Sequence, residues 1–76
     1  MTLGFVLAEP ARVELTVFTV DGRVVRRFEV EPGVRGENSL VWDGTDGDGR
    51  PVASGVYLYR LRAGSRTEAQ RMLVLD

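Results

Sequence analysis

Apolar and polar residues alternate one by one along most of this chain, and nowhere does an apolar stripe return every three to four residues for longer than a turn. In residues 12–20, Val13, Leu15 and Val17 fall on one side and Glu14 and Thr16 on the other, the pattern of a half-buried strand. Residues 55–62 repeat it, with Tyr57, Tyr59 and Leu61 together and Arg60 and Arg62 facing water. A chain with strands and no helix has only another sheet with which to cover its apolar faces. The pattern therefore predicts an all-β fold, two antiparallel sheets packed face to face.

Turn residues divide the alternation into segments. Asp21-Gly22 is a strong hairpin signal and predicts a type I′ turn, with residues 23–30 returning as the partner strand. Val25 and Phe28 lie three apart instead of two, which predicts a bulge and one register shift there. Residues 31–37 contain Pro32, Gly33 and Gly36 and are expected to break the chain; residues 38–43 resume it with Leu40 and Trp42 on a shared face. Residues 44–54 read as loop. A turn at Ala63-Gly64-Ser65-Arg66 leads into a last strand over 67–75, with Met72 and Val74 inward and Arg71 outward. With residues 3–7 as the first strand, the expectation is a single domain over 1–76 with about six to seven strands.

Composition removes most chemistry. At 76 residues there is room for one core, and with neither cysteine nor histidine the chain has no thiol nucleophile, no disulfide, no proton shuttle near neutral pH and neither of the usual zinc ligands. All ten basic residues are arginine, so no lysine is available for a Schiff base or an isopeptide crosslink. Ser39, Ser54 and Ser65 have no histidine to activate them, and the carboxylates are scattered among turns and strand faces. The expectation is a non-enzymatic domain with no catalytic, cofactor-binding or metal-binding residues.

Ten basic residues against eleven acidic ones give a net charge of −1, which favours neither nucleic acid nor an anionic membrane. Arg23, Arg26, Arg27, Arg60 and Arg62 could form a basic stripe, but with Glu14 and Glu29 between them they read as cross-strand pairs that keep the surface soluble. No apolar run is long enough to cross a membrane as a helix, and the opening residues do not have the basic and apolar regions expected of a signal peptide.

Two alternatives attach to named residues. Asp43, Asp46 and Asp48 beside Gly49 could suit calcium, although an EF-hand spacing ending its first half at Gly49 puts ligands at positions 44 and 55, both glycine here; the reading preferred is a solvated turn in which Asp43 accepts backbone N–H groups. Trp42, Tyr57 and Tyr59 read as core aromatics, with a stacking platform for sugar as the alternative.

The run Trp42-Asp43-Gly44-Thr45-Asp46-Gly47-Asp48-Gly49-Arg50-Pro51-Val52-Ala53-Ser54-Gly55-Val56-Tyr57-Leu58-Tyr59-Arg60-Leu61 resembles the Ig-like domain named after the flagellar hook-capping protein FlgD. The likeness extends to the Leu7-Ala8-Glu9-Pro10 lead-in, the Val13/Leu15/Val17 strand, the Asp21-Gly22-Arg23 turn and the closing Gln70-Arg71-Met72-Leu73-Val74. It implies an Ig-like β-sandwich appended to a secreted or cell-surface bacterial protein and serving assembly, surface attachment or C-terminal sorting, with protein partners such as neighbouring domains and secretion or assembly machinery. The alternative is the scaffold domain of a hook-capping protein. Such tails usually carry a Pro-Asn-Pro lead-in, which is absent here, and the Asp-Gly-Thr-Asp loop differs from that of type IX sorting tails. If a preceding segment normally pairs with residues 3–7, that strand has an open edge, and self-association through it is expected.

Overall fold

A computed structural model of the chain describes residues 1–75; Asp76, which closes the sequence, lies outside the described residues. Six strands follow in order, β1 (Thr2–Leu7), β2 (Ala11–Thr19), β3 (Val24–Gly33), β4 (Gly36–Val41), β5 (Gly55–Ala63) and β6 (Arg66–Val74). Among the described residues β1 pairs only with β4, while the other four form a sheet in the order β3-β2-β5-β6, every neighbouring pair antiparallel. No helix occurs among the described residues.

Alternation decides what is buried. Leu3, Phe5 and Leu7 of β1 face Val13, Leu15 and Val17 of β2 across the core, joined by Tyr57, Leu61 and Val74. Trp42, one residue beyond β4, is 0% exposed and meets Tyr57 edge-on, ring centroids 6.2 Å apart. Met72 is only partly buried, and β6 is exposed along most of its length, because a sheet of two strands cannot roof a sheet of four.

The β2–β3 hairpin differs from the expected type I′ turn. No described non-glycine residue has a positive φ, so Asp21 stays on the ordinary side of the backbone map and only Gly22, at φ 90, crosses it. Gly22 N–H donates to Thr19 O (3.0 Å) around Val20 and Asp21, and Thr19 N–H donates to Arg23 O (2.9 Å). The loop is thus three residues long, a type I turn followed by a left-handed glycine. Taking Val20 into the turn spares Asp21 the cost of a left-handed conformation. Asp21 instead holds the Thr19 hydroxyl, whose oxygen accepts the Arg23 N–H at 3.0 Å.

The expected register shift is present: Val17 faces Arg26 and Phe18 faces Val24, leaving Val25 as the bulge. A second shift lies between Ala11 and Val13, opposite the end of β3. There the strand runs through Pro32 to Gly33, past the point where proline and glycine were expected to break it. Gly33 is needed for close approach: a Cβ on it would lie 2.7 Å from Leu7 Cδ1 and 2.9 Å from the Ala11 carbonyl.

Met1 and Trp42 exchange both backbone hydrogen bonds, at 3.0 and 2.7 Å, which fixes the parity of the β1–β4 ladder. Leu3, Phe5 and Leu7 then bond toward β4, and the N–H and C=O groups of Thr2, Gly4 and Val6 point to the open edge of β1. Of these, Gly4 O receives the Tyr59 hydroxyl at 3.4 Å.

Candidate functional site

Residues 42–54, between β4 and β5, form the most elaborated loop of the chain. Asp43 Oδ1 accepts the Thr45 N–H at 3.1 Å and the Thr45 hydroxyl at 2.5 Å, the local turn expected for that aspartate. Asp46 Oδ1 accepts Asp48 N–H (2.9 Å) and Arg50 N–H (3.0 Å), and Gly49 N–H closes onto Asp46 O at 3.0 Å. The two limbs are then tied across by Asp46 N–H to Arg50 O and Val52 N–H to Gly44 O, both 2.9 Å. Gly44 and Gly49 sit at φ 78 and 80, where a side chain would be strained.

This tied loop is fastened to the β2–β3 hairpin by Arg26. The Val25 bulge places Arg26 opposite Val17, on the inward side of β3, and not among the exposed arginines where the sequence reading put it. From there its Nη1 donates to Thr45 Oγ1 (2.8 Å) and reaches Thr45 O (3.4 Å) and Asp46 O (3.5 Å), with Asp43 Oδ1 at 3.6 Å. The guanidinium lies 5.1 Å from the Phe28 ring centroid. Thr45 O also receives Trp42 Nε1–H at 2.8 Å, and Gly47 N–H donates to Val25 O at 3.1 Å. One carbonyl thus joins the buried indole to the bulged strand. The sequence signalled a bulge near Val25 but not which residue β2 would leave unpaired, and that choice sets the side on which Arg26 falls.

These contacts set the electrostatics. The Thr45 hydroxyl holds the Asp43 carboxyl below its usual value, and the Arg50 backbone N–H does the same for Asp46. Asp21 is lowered by the Thr19 hydroxyl. Asp43 and Asp46 each commit an oxygen to their own loop, and among the described residues no three acidic side chains gather as a cation would require. The geometry gives the calcium alternative no cluster to build on.

The sugar alternative loses Trp42, whose ring is fully buried. Tyr57 is also buried and donates its hydroxyl to Ala53 O at 2.6 Å; Tyr59, on the same face at the rim, lies 2.7 Å from Gln70 Oε1. The supposed arginine stripe is divided: Arg23 closes the hairpin turn, Arg26 points inward, Arg27 and Arg60 flank Thr16, and Arg62 sits beside Glu14 one row on. Ser39 lies on β4, Ser65 in the β5–β6 turn and Ser54 in the loop, so the serines share no site. What the arrangement does is hold shape: a loop made rigid by its own carboxylates and clamped to the sandwich at both ends.

Comparison with known proteins agrees with this architecture. Residues 1–67 match the family described as FlgD Ig-like domain. The basal-body rod modification protein FlgD of Salmonella typhimurium is 40% identical over 55 residues, 71% of this chain and 24% of that protein; the same protein of Salmonella typhi matches with the same figures. The chain thus spans about a quarter of the length of these relatives. A crystal structure of FlgD from P. aeruginosa superimposes with a TM-score of 0.79 at 25% identity, covering 95% of this chain and 59% of that one.

Proposed function

The chain belongs to the FlgD Ig-like domain family, and on that footing we propose that it is the non-catalytic scaffold domain of a flagellar rod- or hook-modifying protein. The observation that carries this reading is the 40% identity to two basal-body rod modification proteins. It favours the hook-capping alternative over the appended module of a general secreted protein. The domain works by presenting fixed surfaces to protein neighbours, on an extracellular assembly. The clamp of Arg26 and Trp42 on Thr45 gives the loop one conformation, so a partner meets a surface already ordered and binding loses less conformational entropy. The open edge of β1 offers a second mode, backbone pairing with another strand or another copy.

Exchange of the domain tests the reading. The 55 matching residues of the Salmonella typhimurium protein would be replaced by the corresponding residues of this chain and motility scored. Swimming cells with assembled hooks are expected. A chimera that is exported at normal levels yet leaves cells without hooks would overturn it.

A further inference from the structure

The outer face of the four-stranded sheet is divided into two unlike halves. β2 directs Val13, Leu15 and Val17 into the core, so Glu14, Thr16 and Phe18 point away from it. Phe18 stands between Val24 of β3 and Leu58 of β5. One row further toward the hairpin turn, Val56 faces Leu73, with Val20 following Thr19 beside them. Val20 is 68% exposed, Leu73 59%, and Val24 and Val56 43% each. An apolar strip therefore crosses all four strands on the side that the second sheet does not cover. Soluble chains seldom leave such a strip open without a use for it.

Its charge is one-sided. Arg27 and Arg60 flank Thr16 in the adjoining row, Arg71 faces Leu58, and the Arg60 guanidinium lies 4.8 Å from the centroid of the Phe18 ring. Among the described residues none of these three arginines is in an ion pair. The acids on the strands of this face lie beyond that row, Glu14 opposite Glu29 and then Glu31, and Arg12 already holds Glu29 at 2.7 Å and Glu31 at 3.7 Å. Apolar area with an aromatic ring and arginines around it is the composition of a contact surface. A second copy would set arginine against arginine, so the occupant is a different chain.

We propose that this half of the face, centred on Phe18 and Leu58, docks a partner protein segment that is amphipathic and acidic, its apolar side on the strip and its carboxylates on Arg27, Arg60 and Arg71. The proposal rests on the assembly-scaffold reading and assigns it a surface and a partner chemistry.

The test uses the isotope-labelled chain and two synthetic amphipathic peptides with the same apolar residues, one with glutamate and one with lysine at every polar position. The glutamate peptide is expected to shift the amide resonances of Phe18, Val56, Leu58, Arg60 and Leu73 saturably. Added salt should weaken that binding, and the lysine peptide should leave the spectrum unchanged. The pair Arg60→Gln and Leu73→Ser should raise the dissociation constant about tenfold, while Val6→Lys on the other sheet should not. No shifts, shifts confined to β1 and β4, or equal binding of the lysine peptide would overturn the proposal. Such a failure beside a working chimera removes this face and leaves the scaffold reading; a failed chimera with the titration intact does the reverse.

Discussion

In the four-stranded sheet β2 and β5 are paired along both edges, whereas in the two-stranded sheet β1 and β4 are each paired along one. The inward contributions are much closer to equal: Leu3, Phe5, Leu7 and, just past β4, Trp42 on one side, Val13, Leu15, Val17, Tyr57, Leu61 and Val74 on the other. Two strands alone are marginal in water. The small sheet is therefore held by its apolar face and by the clamp at its exit, while the large one also has its ladder. Four perturbations test that difference.

Removing the indole should show it most clearly. Trp42→Ala empties a fully buried site and deprives Thr45 O of its shorter hydrogen bond, and is expected to cost about 3–5 kcal/mol. Hydrogen exchange at a temperature where the variant is still folded should quicken in β1 and β4 well before β2 and β5. Uniform quickening in both sheets would show that they open as one unit. Leu15→Ala, in a strand paired on both sides, should cost about 2–5 kcal/mol without that preference.

Gly33 of β3 is hemmed in by Leu7 of the other sheet and by the neighbouring strand β2. Gly33→Ala puts a carbon within 2.7 Å of Leu7 Cδ1 and 2.9 Å of the Ala11 carbonyl and should cost about 1–3 kcal/mol in a urea titration. Gly47→Ala, which meets nothing within 4 Å, is the control and should change stability little. Equal effects at the two sites would mean that the crossing relaxes freely.

Acid acts on both ends of the comparison through different residues. The carboxyls of Asp21, in the large sheet's hairpin, and of Asp43 and Asp46, in the clamped loop, are all lowered on folding. Each therefore contributes stability that is fully present above its unfolded value of about 3.9 and is lost as pH falls through the lower folded value. The urea midpoint should fall below about pH 4. Asp46→Asn should lower stability at neutral pH and flatten that acid dependence. A variant as acid-sensitive as the parent would place the linkage elsewhere.

The smallest effect on stability is expected at the open edge. Val6→Lys adds a charge to an exposed position on a strand that otherwise carries none, and should shift stability by no more than about 0.5 kcal/mol. It should nevertheless weaken self-association in sedimentation runs at rising concentration. A parent chain that stays monomeric up to millimolar concentration would show that this edge does not recruit a second copy.

Much of this architecture follows from spacing within single segments. The alternation around Val13, Leu15 and Val17, the pairing of Tyr57 with Leu61 and the position of Trp42 in the core are local patterns, because a strand's side chains alternate whatever it packs against. Asp43 holding its own loop is local for the same reason, its partner lying two residues on. Arg26 could not be placed in that way. Its side of the sheet depends on which residue β2 leaves unpaired, and its partners, Thr45 and Asp46, lie about twenty positions away.

The sequence by itself determined an all-β chain of alternating segments with neither cysteine nor histidine, since composition and period are properties of neighbours along the chain. Only the tertiary structure decided that Gly22 alone takes a positive φ in the first hairpin, that Pro32 and Gly33 stay within β3 and that the chain divides into sheets of two and four. It also decided that Phe18 and Leu58 stand on an open face beside Arg60. Those outcomes depend on register between strands distant in sequence, and a shift of one residue in any pairing would reverse which side chains meet.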